Sequence, residues 1–346
     1  MSEIRQNVIT RDWVIIASER ARRPNDFVRS SRAEISLPPH DPNCPFCPGN
    51  EQAAKDECFR LEDTTGWRVR AVANKFPALR PIGKRVRRVE GLRRSMAGVG
   101  VHEVIIEHPQ HNLTTALLGV EDVADILRVY QQRYLAVKKD PRIEAIVVFK
   151  NHGERAGTSL HHAHSQLAAT PVVPNQVRNR AEEAIRFYDD MGECIFCKTL
   201  TDELAAQERI IIASQHFVAF IPYAALSPFH TWIFPRRHAS SFEETTSGEI
   251  ADLGDVLRLL LAKLYCGLGD PDYNYVIRSS PTYDGHTSYF HWYLSIIPRI
   301  SRTAGFELGS GMFINPTLPE ASAKYLREVD VPPAQPRVAP ISDVRS

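Results

Sequence analysis

The sequence predicts an α+β fold built from two fused copies of one unit, each a mostly antiparallel sheet with flanking helices. Three observations carry that expectation. Landmarks recur at one spacing: His111 and His238, His164 and His291, and Pro171 and Pro298 are each 127 positions apart. Each half carries one C-x-x-C pair, Cys44-Pro-Phe-Cys47 and Cys194-Ile-Phe-Cys197. Short strand-like apolar runs are interrupted by long segments of helical spacing in both halves. The expected units are residues 1–174 and 175–346. The 127-residue spacing sets Tyr289 against His162, so only the first unit keeps a His pair and only it is expected to be catalytic.

The elements follow in order. Residues 8–17 read as a strand with a turn at Arg11-Asp12. Ser18 to Pro24 carries Arg20, Arg22 and Arg23, which suits an anion-binding loop or a solvated basic loop. Residues 27–43 are polar and proline-rich, a linker. Trp67–Ala73 and Val101–Glu107 read as strands, with a mobile basic loop expected over residues 80–100. From Val120 to Lys138, the residues Val123, Ile126, Leu127, Tyr130, Tyr134 and Val137 fall on one helical face. Gln176–Met191 is a second helix and Ile250–Cys266 a third. Phe217–Ile221, Thr231–Phe234, Tyr273–Arg278 and His291–Ile297 complete the strands.

Composition excludes several classes. The chain has 346 residues, 43% hydrophobic and 24% charged, in the range of a globular protein with ample core. Lys plus Arg (42) nearly balance Asp plus Glu (41), so no electrostatic footprint for nucleic acid is present. No apolar stretch reaches spanning length, and the first residues lack an apolar signal core, so the expected location is the cytoplasm.

The stretch from Asn151 to Gln166 carries the chemistry. It reads as strand, glycine-rich turn, strand. Period-two alternation puts His162, His164 and Gln166 on one side, facing a turn whose glycines leave backbone N–H groups to cradle an anion. Without a secretion signal, the paired C-x-x-C motifs read as metal or redox groups rather than structural disulfides. They lie too far apart for one zinc ribbon, so each must find further ligands elsewhere. Neither is expected at a strand-to-helix junction, which argues against a thioredoxin-like dithiol.

With these residues in hand, the chain resembles the galactose-1-phosphate uridylyltransferase family of the histidine-triad superfamily. The resemblance is carried by Arg20-Ala-Arg-Arg23-Pro24, Cys44-x-x-Cys47, Asn74-x-Phe76-Pro-Ala-Leu79, Pro109-x-His111-Asn112, N-x-G-x-x-A-G-x-S followed by H-x-H-x-Q, Cys194-x-x-Cys197 and Gly305-Phe306-Glu307. It runs from Trp13 to Pro316 and is strongest with the branch that includes ADP-glucose phosphorylase. It implies two fused histidine-triad repeats, a homodimer, and nucleotidyl transfer from a nucleotide sugar to a sugar 1-phosphate or phosphate through a nucleotidyl-histidine. His164 would be the nucleophile. Gln166 and Ser159 would meet the phosphoryl oxygens, with the Gly157 and Thr158 backbone nearby. Arg20 and Arg23 would hold the distal phosphate, Asn74 and Phe76 the nucleoside, Asn151 the nucleotide, and Glu307 the sugar hydroxyls. Two structural zinc ions are implied. Cys44, Cys47, His111 and His162 would hold the first. Cys194, Cys197, His238 and a fourth ligand, His291 with His286 as its rival, would hold the second.

The reference activity implied is UDP-glucose–hexose-1-phosphate uridylyl transfer. Several residues depart from that pattern. The run Leu160-His161-His162-Ala163-His164-Ser165-Gln166 replaces the usual H-P-H-G-Q, no glutamine follows Glu307 closely, and Lys75 stands where the uridylyltransferase has an acid. Uridylyl transfer to hexose 1-phosphate is the expected activity, and these departures make ADP-glucose phosphorylase, with adenylyl transfer to inorganic phosphate, the alternative. A dinucleoside polyphosphate phosphorylase and a zinc-stabilised nucleotide- or RNA-binding protein are the other readings.

Overall fold

The computed structural model describes residues 2–17, 27, 37–54 and 56–337. Ten strands form one sheet in the order β10-β11-β12-β14-β13-β8-β9-β7-β4-β3. In chain order they are β3 (Glu57–Asp63), β4 (Gly66–Ala73), β7 (Val101–Ile106), β8 (Ala145–His152), β9 (His164–Thr170), β10 (Ile210–Ala213), β11 (Phe217–Phe220), β12 (Thr231–Pro235), β13 (Tyr273–Arg278) and β14 (Tyr293–Pro298). Every pairing in this sheet is antiparallel. Read outward from the central β8–β13 pair, the order runs β9, β7, β4, β3 on one side and β14, β12, β11, β10 on the other. The halves before and after residue 174 therefore share one continuous sheet.

Two long helices, α1 (Val120–Lys138) and α4 (Ser247–Leu268), cover one face. Val123, Ile126, Leu127 and Tyr130 of α1 join Leu253, Leu257, Leu260 and Leu264 of α4 over Ile105, Val148, Leu167, Ile233 and Leu294 of the sheet. A Cβ on Gly254 would lie 3.1 Å from the Ala124 backbone nitrogen, so that glycine sets how closely the helices approach. Alternation sends the intervening strand residues to the other face. There Val104 and Ile106 pack with Cys44, Phe46 and Cys47, while Trp232, Phe234 and Tyr293 pack with Phe196 and Phe290. Both cysteine groups thus lie on the face away from α1 and α4.

Four sequence expectations need correction. Residues 8–10 are a turn; the chain pairs β1 (Glu3–Gln6) with β2 (Trp13–Ile16) instead, and Arg11 takes φ 61° between them. The basic segment over 80–100 includes a hairpin of β5 (Arg87–Glu90) and β6 (Arg93–Met96). The strand β3 was not anticipated, because it is a mostly charged, largely exposed edge strand whose apolar alternation is only Phe59 and Leu61. Beyond α2 (Asn175–Met191), Cys194 is the N-cap of a further helix, α3 (Ile195–Ala206), so the second C-x-x-C does open a helix. The last elements among the described residues are α5 (Gly305–Ser310), β15 (Phe313–Asn315), which joins β1 and β2, and α6 (Pro319–Glu328). No helix among the described residues is long and apolar enough to cross a membrane.

Candidate active site

His164 is the first residue of β9, opposite Ile106 of β7. Alternation turns His164 and Gln166 to the cysteine face, while Ser165 and Leu167 turn to α1, where the Tyr130 hydroxyl donates to Ser165 Oγ at 2.6 Å. His162 does not share this strand. It precedes β9, and its ring is fully buried among the cysteines.

The hydrogen bonds fix the tautomers. His164 Nδ1 lies 2.9 Å from the His162 carbonyl, which can only accept, so Nδ1 carries the hydrogen and Nε2 keeps a lone pair. The ring is 8% exposed, and burial, reinforced by the nearby Lys150 charge, holds it below the ordinary histidine value. It is therefore neutral at pH 7, the form that can attack. Phe46 stands against it edge-on, with centroids 5.5 Å apart. His162 has the opposite pattern. Its Nε2 donates to the His108 carbonyl at 2.7 Å, leaving Nδ1 bare at 3.5 Å from Cys47 Sγ and 3.7 Å from Cys44 Sγ.

Cys44, Cys47, His111 and His162 present ligand atoms all within 4.8 Å of one another, as do Cys194, Cys197, His238 and His291. Metal–ligand bonds of 2.0–2.3 Å in a tetrahedron set ligand–ligand separations of about 3.3–3.8 Å. The separations found include 3.5 Å for Cys47–His111, 3.2 Å for Cys197–His238 and 3.3 Å for Cys197–His291. Two thiols and two imidazoles at these spacings fit a tetrahedral ion with no position left for water. Burial, with the Cys44 thiol beside it, pushes the Cys47 thiol up to about 12, a penalty that a bound cation would reverse. In the second group the structure favours His291 over His286, which is exposed and pairs with Glu244 at 3.0 Å.

The second group also corrects the register of the repeat. His291, not Tyr289, takes the position of His162, so Tyr293 occupies that of His164. Each starts its strand, and each packs against the phenylalanine of its own C-x-x-C, Phe196 standing 5.8 Å from Tyr293. Tyr293 is buried and accepts a hydrogen bond from Arg180 at 3.0 Å.

The turn after β8 differs from expectation as well. Its N–H groups are not free: Ala156 and Thr158 donate to Gly153, Gly157 donates to Glu154, and Arg155 donates to Asp272 Oδ2 at 2.8 Å. Gly157 and Thr158 thus spend their N–H groups inside the turn, while the Ser159 side chain stays exposed. Gly153 is obligatory at φ 82°, since a Cβ there would sit 2.2 Å from Asp272 Oδ1. Asn274 of β13 binds Asn151 at 2.8 Å and the Ala156 carbonyl at 2.9 Å. The second half thereby holds the turn of the first.

Asn74 and Gln166 meet at a residue the sequence did not single out. His102 of β7 lies 2.8 Å from Gln166 Oε1 and 3.2 Å from Asn74 Nδ2. Phe76 is 83% exposed, its N–H bonded to Asn74 Oδ1 at 2.9 Å. Glu307 caps α5, its Oε2 accepting the Ala304 N–H at 2.9 Å. Arg20 and Arg23 lie outside the described residues. The Phe46 contact had a readable signal, since both C-x-x-C motifs carry Phe before the second cysteine. Single residues such as His102, Asp272 and Asn274 have none.

A family model for the N-terminal domain of galactose-1-phosphate uridyl transferase matches residues 1–174. ADP-glucose phosphorylase of Arabidopsis thaliana is 38% identical over 334 residues, covering 95% of this chain and 93% of its own. The chain belongs to the galactose-1-phosphate uridylyltransferase family. Its other relatives include the galactose-1-phosphate uridylyltransferase of Thermotoga maritima, 27% identical over 96% of this chain and 99% of that protein. Among solved structures, ADP-glucose phosphorylase from Arabidopsis thaliana with bound ADP-glucose superposes with a TM-score of 0.80 at 35% identity, covering 95% of this chain and 99% of that one. A uridylyltransferase structure superposes with a TM-score of 0.73 at 26% identity, covering 95% and 98%. A domain of unknown function, DUF4921, also matches residues 113–331. The family's enzymes act on nucleotide sugars as nucleotidyltransferases or phosphorylases.

Proposed function

We propose that this protein is a nucleotidyltransferase of the ADP-glucose phosphorylase type, working through a nucleotidyl-His164. The observation that carries the chemistry is the hydrogen bond from His164 Nδ1 to its neighbour's carbonyl, which leaves Nε2 as a neutral, oriented nucleophile. Nε2 attacks the α-phosphorus of ADP-glucose. The P–N bond forms as the bond to glucose 1-phosphate breaks, and glucose 1-phosphate leaves. An oxygen of inorganic phosphate then attacks the same phosphorus, ADP departs, and the imidazole is regenerated. Splitting the displacement in two gives ping-pong kinetics. Gln166 and Ser159 donate to the phosphoryl oxygens, where charge is to be stabilised. Arg20 and Arg23 take the distal phosphate, Asn74, Phe76 and Asn151 the nucleoside side, and Glu307 the sugar hydroxyls.

Cys44, Cys47, His111 and His162 would hold one zinc ion, and Cys194, Cys197, His238 and His291 a second. With all four positions taken by protein, the ions supply structure rather than a reacting group. Residues 1–174 and 175–346 are read as duplicate units of which only the first keeps a nucleophile. Adenine and phosphate are favoured by the 38% identity to the phosphorylase, against 27% or less for the uridylyltransferases above. Uridylyl transfer to hexose 1-phosphate is the second reading, favoured by the matching family model. The discriminating experiment isolates the nucleotidyl-enzyme and offers each acceptor separately. Discharge by inorganic phosphate to a nucleoside diphosphate, without turnover of galactose 1-phosphate, is expected. Discharge by galactose 1-phosphate alone would refute the phosphorylase reading.

A further inference from the structure

We propose that His102 is the positioning residue that aims the Gln166 carboxamide at the transferring phosphoryl group; this rests on the nucleotidyl-His164 reading above. On β7, His102 is opposite Ala168 and Val104 is opposite Gln166, so His102 and Gln166 are diagonal neighbours on the His164 face. The Ala78 backbone N–H, which can only donate, reaches His102 Nδ1 at 3.1 Å. Nδ1 therefore accepts, and the one hydrogen of the neutral ring sits on Nε2. Nε2–H then donates to Gln166 Oε1 at 2.8 Å, and the Asn74 Nδ2 group 3.2 Å from the same nitrogen, itself a donor, makes no hydrogen bond to it in this tautomer. That bond occupies the carbonyl end of the carboxamide and leaves its –NH2 as the working end. Among the described residues no hydrogen bond engages that nitrogen. A glutamine free to turn would present its oxygen to a phosphoryl oxygen half the time, which repels. Held by His102, it presents donors only. The same ring accepts the Ala78 N–H, and the His102 carbonyl accepts the Asn74 N–H, so Gln166 and the expected nucleoside pocket are set against each other.

The second half repeats the device without the chemistry. His230 accepts the Leu226 N–H on Nδ1 at 3.4 Å, and its Nε2 lies 2.9 Å from Ser295 Oγ. Ser295, opposite Trp232, is two residues beyond Tyr293, as Gln166 is two beyond His164. The histidine anchor is thus common to both halves, and only the first ends it on a carboxamide beside a nucleophile.

The test is a double-mutant cycle read by single-turnover formation of nucleotidyl-His164 from ADP-glucose. His102→Ala should slow that step about 10- to 100-fold at saturating ADP-glucose, with any loss of affinity read separately as release of the Ala78 loop. Added to Gln166→Ala, it should slow the step by no more than about twofold further. His230→Ala should lower the melting temperature and leave the rate per folded molecule unchanged. Multiplicative losses in the cycle, or equal slowing by His230→Ala, would overturn the proposal. A second measurement needs neither variant nor turnover: the ¹⁵N shifts of the His102 ring in the wild-type protein should report the Nε2–H tautomer. Finding Nδ1–H would overturn the proposal whether or not the enzyme is active. A wild-type protein with the expected tautomer that takes no nucleotide would instead refute the nucleotidyl-His164 reading.

Discussion

Two histidines two positions apart are divided by which ring nitrogen meets a carbonyl. His162 gives its Nε2 hydrogen to His108 and turns Nδ1 to the thiols; His164 gives its Nδ1 hydrogen to His162 and keeps Nε2 for attack. The account predicts that His164→Ala abolishes nucleotidyl transfer while metal content and melting temperature stay near wild type. His162→Ala should lose metal and stability, because the binding energy of a four-ligand site is folding energy. Metal analysis and calorimetry on the two variants check this; loss of metal only in His164→Ala would exchange the roles. The two ligand groups were expected from the family resemblance, and the structure brings their atoms together; the division of roles within H-x-H is not written in its spacing, which set both histidines on one strand face. His102 was not legible, since a lone histidine in a strand looks the same whether it faces solvent or a glutamine across the sheet. The anion cradle expected of the glycine turn failed for a similar reason. Its N–H groups are claimed by Gly153, Glu154 and Asp272, partners that only the folded turn brings close.

Among the elements, α1 was readable to its ends because its apolar residues keep helical spacing over the whole length. The helix α3 was missed because its first buried residues, Ile195 and Phe196, lie inside the C-x-x-C motif, which reads as a loop. The helix α4 depends on a reciprocal cap. Thr246 accepts the Glu249 N–H at 3.3 Å, and Glu249 returns to the Thr246 N–H at 2.8 Å while pairing with Arg237 at 2.7 Å. Arg237 first, then the Thr246 N–H, pulls the Glu249 carboxyl down to about 2 from its ordinary 4.5. A depressed carboxylate contributes stability that is present above its unfolded value and lost as pH falls through its folded value. Glu249→Gln is therefore expected to destabilise by about 1 kcal/mol at pH 7, with the gap to wild type closing between pH 4.5 and 2. Denaturant midpoints at several pH values check it, and a gap independent of pH would contradict it.

At the scale of the whole molecule, one sheet joins two halves of matched strand order, and the second half serves the first through Asp272 and Asn274. The duplication was legible from the sequence, but its register was off by two. His111 to His162 spans 51 positions and His238 to His291 spans 53, so equal spacing between other landmarks aligned the nucleophile with a metal ligand. Only the ligand geometry shows the shift. Two ions per chain are expected, one per four-ligand group; Cys194→Ser should leave one and lower the melting temperature while His164 still reacts. A single ion in the wild type, unchanged by that substitution, would remove the second site. The central claim is a covalent nucleotidyl-histidine on the first half alone. It is tested most directly by intact-protein mass spectrometry after incubation with ADP-glucose or UDP-glucose in the absence of acceptor. The account predicts the mass of one adenylyl group, mapped to His164, lost in His164→Ala, with ADP-glucose the better donor. No covalent adduct from either sugar nucleotide, or an adduct that persists in His164→Ala, would contradict it.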